Sequence, residues 1–192
     1  MECNSLVVRE KVGFCDMANL EEVIGWPMDW ASLKDRAIPA DALALQPEDD
    51  ATIFYTSGTT GKPKGVQRDT GGYAVSLAAS MKHIFMGQPG ETYFSTSDIG
   101  WVVGHSYIIY GPLIAGMATI MYEGLPTKGM DGQPNGGIWW SLVEKYKVTA
   151  MFSAPTAVRV LKKQDPALLQ KYDLSSLRAL FLAGEPLDEP TA

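Results

Sequence analysis

Short apolar runs alternate along the chain with longer segments of helical spacing. "TIFYT" (residues 52–56) is β-branched and aromatic, which predicts a strand. "GGYAVSLAASMKHIF" carries Val75, Ala78, Ala79 and Ile84 among its apolar positions at helical spacing. "ETYFST" reads as a strand, and "GHSYIIYGPLIAG" as a helix up to its Gly-Pro. "ATIMYEG" reads as a strand, followed by the Gly/Pro-rich loop "LPTKGMDGQPNGG". "IWWSLVEKYK" is an amphipathic helix whose Trp139 and Trp140 serve packing, and "VTAMFSA" is a strand. "PTAVRVLKKQ" has proline at the favoured helix start. "PALLQKY" is a further helical piece, and "LRALFLAGEPL" a strand entering a loop. The first 50 residues are weakly patterned. "NLEEVIG" predicts a short helix, "WPMDWASLKDRA" a turn and a short helix, and "IPADALALQPEDD" a linker.

Strands alternating with helices predict an α/β fold, with a mostly parallel sheet flanked by helices. The near-continuous apolar strands fit a sheet covered on both faces. Ligands of such sheets bind at the carboxyl ends of strands. Three unusual loops stand there: Ser57–Gly65, Ser97–Tyr107 and Ala183–Leu187.

Composition narrows the function classes. The 192 residues suit one domain or one and a fraction, and 46% hydrophobic residues suffice for a core. Sixteen basic against 22 acidic residues give −6, which argues against a nucleic-acid or polybasic membrane-surface partner. No apolar run reaches the ~18 residues of a membrane span. Cys3 and Cys15 have no CxxC partner and are read as plain thiols in a reducing cytoplasm. No metal-ligand cluster is in view. His83 is read as a surface histidine, whereas His105 lies within "GHSY" and is a candidate pocket lining.

The densest chemistry lies in "YTSGTTGKPKGV" (residues 55–66). Gly58 and Gly61 let backbone N–H groups approach an oxyanion without a Cβ in the way. Ser57, Thr59 and Thr60 add hydroxyls, and Lys62 and Lys64 add positive charge. Phosphate binding follows, but not by a Walker loop. That pattern needs GxxxxGK[ST], whereas here only Thr59 and Thr60 separate Gly58 from Gly61, and Pro63 follows Lys62. A P-loop NTPase or kinase is therefore the weaker enzyme reading.

The same twelve residues closely resemble the signature of the adenylate-forming (AMP-binding) superfamily. "SDIGWVVGHSYIIYGPL", "TAMFSAPTAVRVLKK" and "LAGEPLDEPTA" are similar to further motifs of its short-chain acyl-CoA synthetases, most closely the propionate-activating ones. The resemblance covers residues 26–192 as a partial AMP-binding domain, part of the large N-terminal domain of that fold, and leaves 1–25 unplaced. It implies a two-step reaction with ATP, Mg2+ and CoA. A carboxylate attacks the α-phosphorus of Mg·ATP to give acyl-AMP and pyrophosphate. The CoA thiol then displaces AMP.

In that scheme the loop from Thr56 to Lys64 holds the β- and γ-phosphates, and Gly184, Glu185 and Pro186 line the adenine and ribose, mostly through backbone. Trp101, Val102 and Val103 form the acyl side of the pocket, faced by Ala183. Acetate-activating relatives carry valine at the Ala183 position and threonine at that of Val103. Space for one more carbon implies a preference for propionate, since one methylene discriminates by about 1–3 kcal/mol. Thr127 stands where acetate enzymes have an Asn near CoA, which leaves its CoA role open. Acetate, 3-hydroxypropionate and butyrate remain alternative substrates. The family's catalytic Lys, ribose-binding Asp, hinge and small C-terminal domain are not encoded within these residues. The expectation is that the chain by itself carries no catalytic residue and no ligase activity. A non-catalytic nucleotide-binding remnant is the alternative outside enzymes.

Overall fold

The computed structural model describes residues 35, 42–56, 62–129 and 131–188. The helix expected at "NLEEVIG", that at "WPMDWASLKDRA" (26–37) apart from Asp35, and the cysteines lie outside these; Asp35 is helical and exposed. The linker expected before Thr52 has no regular structure over 42–46 and turns at 47–49.

Within the compact unit of residues 45–192, two sheets form. β1 (Asp50–Thr56) and β2 (Lys64–Asp69) make an antiparallel hairpin. β2 was not expected from the sequence. Its "KGVQRD" is polar and almost wholly exposed, so no apolar alternation marks it. The glycine loop therefore joins two strands rather than leading from a strand into a helix. β2 runs straight into α1 (Thr70–His83), where the Asp69 side chain accepts the Gly72 N–H at 2.8 Å as N-cap.

The helix α1 matches expectation in extent but not in the face it buries. Tyr73, Leu77, Ser80 and Met81 point inward, while Val75 and Ile84 are exposed. The inward polar groups are satisfied there. Tyr73 Oη and Ser106 Oγ are 2.6 Å apart, and Ser80 Oγ donates to the Leu77 carbonyl. A hydrogen-bonded hydroxyl is cheap to bury, so hydropathy alone misplaces the inner face.

The second sheet is parallel, in the order β4 (Ala118–Thr119), β3 (Thr92–Ser95), β5 (Val148–Ser153), β6 (Ala179–Leu182). Its faces are covered by separate cores, split by alternate residues of the strands except at Val148, which precedes a register shift between β3 and β5. Tyr93, Ala150 and Phe152 pack with Met81 and Phe85 on one face. Phe94, Val148 and Met151 pack with Trp139, Val143 and Leu161 on the other. The latter side chains come from α3 (Ile138–Tyr146) and α4 (Pro155–Lys162), while α5 (Ala167–Lys171) follows α4. Trp139, 2% exposed, packs edge-on against Phe94, as its place on an amphipathic helix predicts.

Helix α2 links β3 to β4 in three unbroken pieces: Val102–Gly104, the π-helical His105–Tyr110, and Gly111–Ile114. The sequence predicted an end at Gly111-Pro112, yet the helix continues through it. Proline lacks the N–H owed to the carbonyl four residues earlier. The widened π register accommodates this, and Thr119 Oγ1 donates to that Ile108 carbonyl at 2.7 Å. The strand predicted over "ATIMYEG" shrinks to Ala118–Thr119.

Arg178 closes the amino-terminal edge of the sheet. Its guanidinium donates to both Glu91 carboxylate oxygens and to the Met86 carbonyl. The carboxyl-terminal edge carries hydroxyls and loops instead.

Candidate functional site

The strand order contains a switch point. From β3 the chain moves to one side through α2 to β4, then crosses back beyond β3 to β5 and on to β6. The connections leaving β3 and β5 diverge, and such a divergence opens a crevice at the carboxyl ends of the two strands. Two hydroxyls close its floor. Thr96 N–H donates to the Phe152 carbonyl at 2.9 Å, and Thr96 Oγ1 lies 2.7 Å from Ser153 Oγ. Sequence reasoning missed this pair. Its only signal is that both apolar strands end in hydroxyl residues, "YFST" and "MFSA".

Two of the three segments singled out by sequence leave this same edge. Trp101 follows β3 as the N-cap of α2 and is 69% exposed. Val102 and Val103 are half-buried, and Val103 also packs against the core around Met81 and Phe85. The turn before them is tight. Asp98 Oδ1 accepts the Gly100 N–H, and the Asp98 carbonyl accepts that of Trp101. This turn lies directly on Gly104, where a Cβ would stand 2.1 Å from the Asp98 carbonyl oxygen.

Two strands away, Ala183 follows β6 and is exposed, with its N–H on the Ser153 carbonyl at 3.2 Å. Adjacent strands lie about 4.8 Å apart, so β3 and β6 are separated by roughly 10 Å across β5. Gly184 has φ +99°, in the left-handed region that a side chain would disfavour. It turns the chain out of the sheet into Glu185 and Pro186.

Glu185 is engaged by α4. Its carboxylate accepts from the Thr156 N–H at 2.8 Å and from Thr156 Oγ1, and Arg159 donates to it at 2.8 Å. The Thr156 hydrogen bond first, then Arg159, holds the Glu185 carboxyl below the usual carboxylate range. Thr156 and Arg159, three apart on a helix, share the face that meets this loop.

Of the phosphate-loop residues, Thr56 ends β1, opposite Lys64 in the hairpin register. Ser57, Gly58, Thr59, Thr60 and Gly61 lie outside the described residues. Lys62 and Lys64 are exposed, and neither is in an ion pair among the described residues. The hairpin meets α2 where the Phe54 ring packs edge-on against His105, with centroids 4.8 Å apart. His105 Nδ1 is buried there without a hydrogen-bond partner among the described residues. Thr127 lies in the loop before α3, and its carbonyl accepts the Asn135 N–H.

A cavity of about 410 Å3 lies elsewhere, between α3, α4, α5 and β6, lined by Trp139, Met151, Leu161, Leu168 and Leu180 among others. None of the residues singled out for chemistry lines it. Among the described residues, no group of three or more His, Cys, Asp or Glu could hold a metal ion, and no helix is long and apolar enough to cross a membrane.

The fold is thus an α/β sheet in which the segments after β3 and β6 and the Thr96 and Ser153 hydroxyls lie at the carboxyl edge around a switch point, the arrangement of a ligand-binding α/β domain. The chain belongs to the AMP-binding enzyme family, whose model matches residues 8–192. It is 60% identical over 178 residues to the propionate–CoA ligase of Escherichia coli K12, covering 92% of this chain and 28% of that protein. The propionate–CoA ligase of Salmonella typhimurium is 59% identical over the same length, with the same coverage. Human acyl-CoA synthetase short-chain family member 3, mitochondrial, is 44% identical over 187 residues, covering 95% of this chain and 27% of that protein. The chain therefore spans a little over a quarter of the length of these relatives.

Proposed function

We propose that this chain forms the nucleotide- and acyl-binding part of a short-chain acyl-CoA synthetase that activates propionate. The observation that carries this reading is the convergence of two motif segments on one sheet edge. Trp101–Val103 leave β3 and Ala183–Pro186 leave β6, on either side of the β3/β5 crevice. The similarity to two bacterial propionate–CoA ligases supports the choice of acid.

The chemistry has two displacements. A propionate oxygen attacks the α-phosphorus of Mg·ATP, the bond to the β-phosphate oxygen breaks, and pyrophosphate leaves with the electron pair. The CoA sulfur then attacks the acyl carbonyl and AMP leaves, the thiol proton passing to solvent. No general base is needed in the first step, because propionate is already ionised at pH 7. The loop between β1 and β2, with Ser57, Gly58, Thr59, Thr60, Gly61 and Lys62, and the flanking strand ends Thr56 and Lys64 supply N–H, hydroxyl and ammonium groups to the departing pyrophosphate. That is stabilisation where charge develops. Mg2+ arrives with ATP as part of the substrate. Gly184, Glu185 and Pro186 receive the adenine and ribose through backbone, since the Glu185 carboxylate is already committed to α4. Trp101, Val102, Val103 and Ala183 bound the acyl group.

Titration of the chain with Mg·ATP tests the nucleotide half of this reading. Saturable binding is expected. The Lys62→Ala/Lys64→Ala double variant should weaken it about tenfold or more, the scale of losing charge-assisted contacts to phosphate. Absence of saturable binding, or equal binding by the double variant, contradicts the assignment.

A further inference from the structure

The loop after β6 has little order of its own. Gly184 turns it away from the sheet at φ +99°. Beyond the Ala183 N–H, residues 184–187 make no backbone–backbone hydrogen bond among the described residues. Side chains of α4 hold the loop. Arg159 Nη1 donates to Glu185 Oε2 at 2.8 Å, its Nη2 to the Pro186 carbonyl at 3.3 Å, and its Nε to Asp188 Oδ1 at 2.9 Å. One planar guanidinium thus spans four successive loop residues, a geometry that lysine's point charge cannot reproduce.

The helix gains from the same arrangement. Ala154, the N-cap of α4, offers no side-chain bond, so the Thr156 N–H is left to Glu185 Oε1. Loop and helix satisfy each other's open groups. A segment that contacts its ligand through backbone needs that backbone held in place before the ligand arrives, or binding must bear the ordering cost.

We infer that Arg159 is a positioning residue, which holds the Gly184–Asp188 backbone ready for the nucleotide; this rests on the function proposed above. Glu185 and Asp188 are the loop's handles, and their carboxylates face α4 rather than the ligand.

Backbone amide hydrogen exchange and ATP titration on the full chain test this together. In Arg159→Ala, exchange at the Thr156 amide, accepted by the Glu185 carboxylate, and at the Ala183 amide, accepted by the Ser153 carbonyl, should rise roughly fivefold or more, while Met151 and Phe152 in β5 stay protected. ATP affinity should fall by a similar factor, and Arg159→Lys should recover part of both. Asp188→Ala, which leaves α4 intact, should move both readouts the same way by less. Unchanged exchange at the Thr156 and Ala183 amides in both variants overturns the inference. So does raised exchange with unchanged ATP affinity, because the clamp would then be structural only. If the wild-type chain does not bind ATP, the function proposed above fails, and exchange at the Thr156 and Ala183 amides alone decides whether Arg159 is the clamp.

Discussion

Replacing Gly104 with alanine is expected to lower the thermal midpoint of the chain by roughly 6–12 °C, corresponding to about 3 kcal/mol. The sign makes this informative. In an open helix, glycine to alanine stabilises by about 1 kcal/mol. Here the added methyl would stand 2.1 Å from the Asp98 carbonyl oxygen and 2.7 Å from the Ile99 Cα. Both obstacles are backbone, so no side chain can swing aside. The Asp98–Trp101 turn must lift, and with it the residue proposed to border the acyl group. A scan of wild type and variant checks this. A midpoint that rises, or falls by under about 2 °C, contradicts the close approach of turn and helix.

The second large effect concerns the acid. Ala183→Val is expected to shift the ratio of kcat/KM for propionate over acetate by about tenfold toward acetate. That corresponds to one methylene's worth of space, about 1–3 kcal/mol. The measurement belongs in a hybrid enzyme in which this chain's 178 aligned residues replace their counterparts in the E. coli propionate–CoA ligase. Total activity on acetate should hold while that on propionate falls. An unchanged ratio removes Ala183 from the acyl pocket. A parallel loss on both acids points instead to damage in the loop that Gly184 begins.

Much of the parallel sheet was legible because its strands follow simple burial. Val148–Ser153 is buried at five of its six positions, so an unbroken apolar run announces it. The helix "IWWSLVEKYK" shows its inner face through Trp139 and Val143. Reading failed where burial and hydropathy part. β2 is exposed and polar, and only its partner β1 makes it a strand. The inner face of α1 includes Tyr73 and Ser80, whose hydroxyls also bond to Ser106 and Tyr107, distant in sequence. Helix α2 passes Pro112 because Thr119, in another element, takes up the stranded carbonyl.

The site divides in the same way. Glycine, hydroxyl and lysine residues crowded into "YTSGTTGKPKGV" carry their chemistry locally, so twelve residues suffice to suggest phosphate. The loop at Gly184 was visible as a motif, but its restraint was not. Arg159 lies 26 and 29 positions before its acidic partners Glu185 and Asp188. Only the parallel pairing of β5 with β6 brings them together. The Thr96–Ser153 pair, 57 positions apart, likewise exists only because β3 and β5 are neighbours.

The most direct test of the account is the product that the hybrid enzyme makes from ATP. With propionate, Mg2+ and CoA present, it is expected to release AMP and pyrophosphate in equal amounts and to form propionyl-CoA. AMP release should depend on the acid and be faster with propionate than with acetate. Formation of ADP, or ATP cleavage that does not depend on the acid, would contradict acyl adenylation as the chemistry this chain supports.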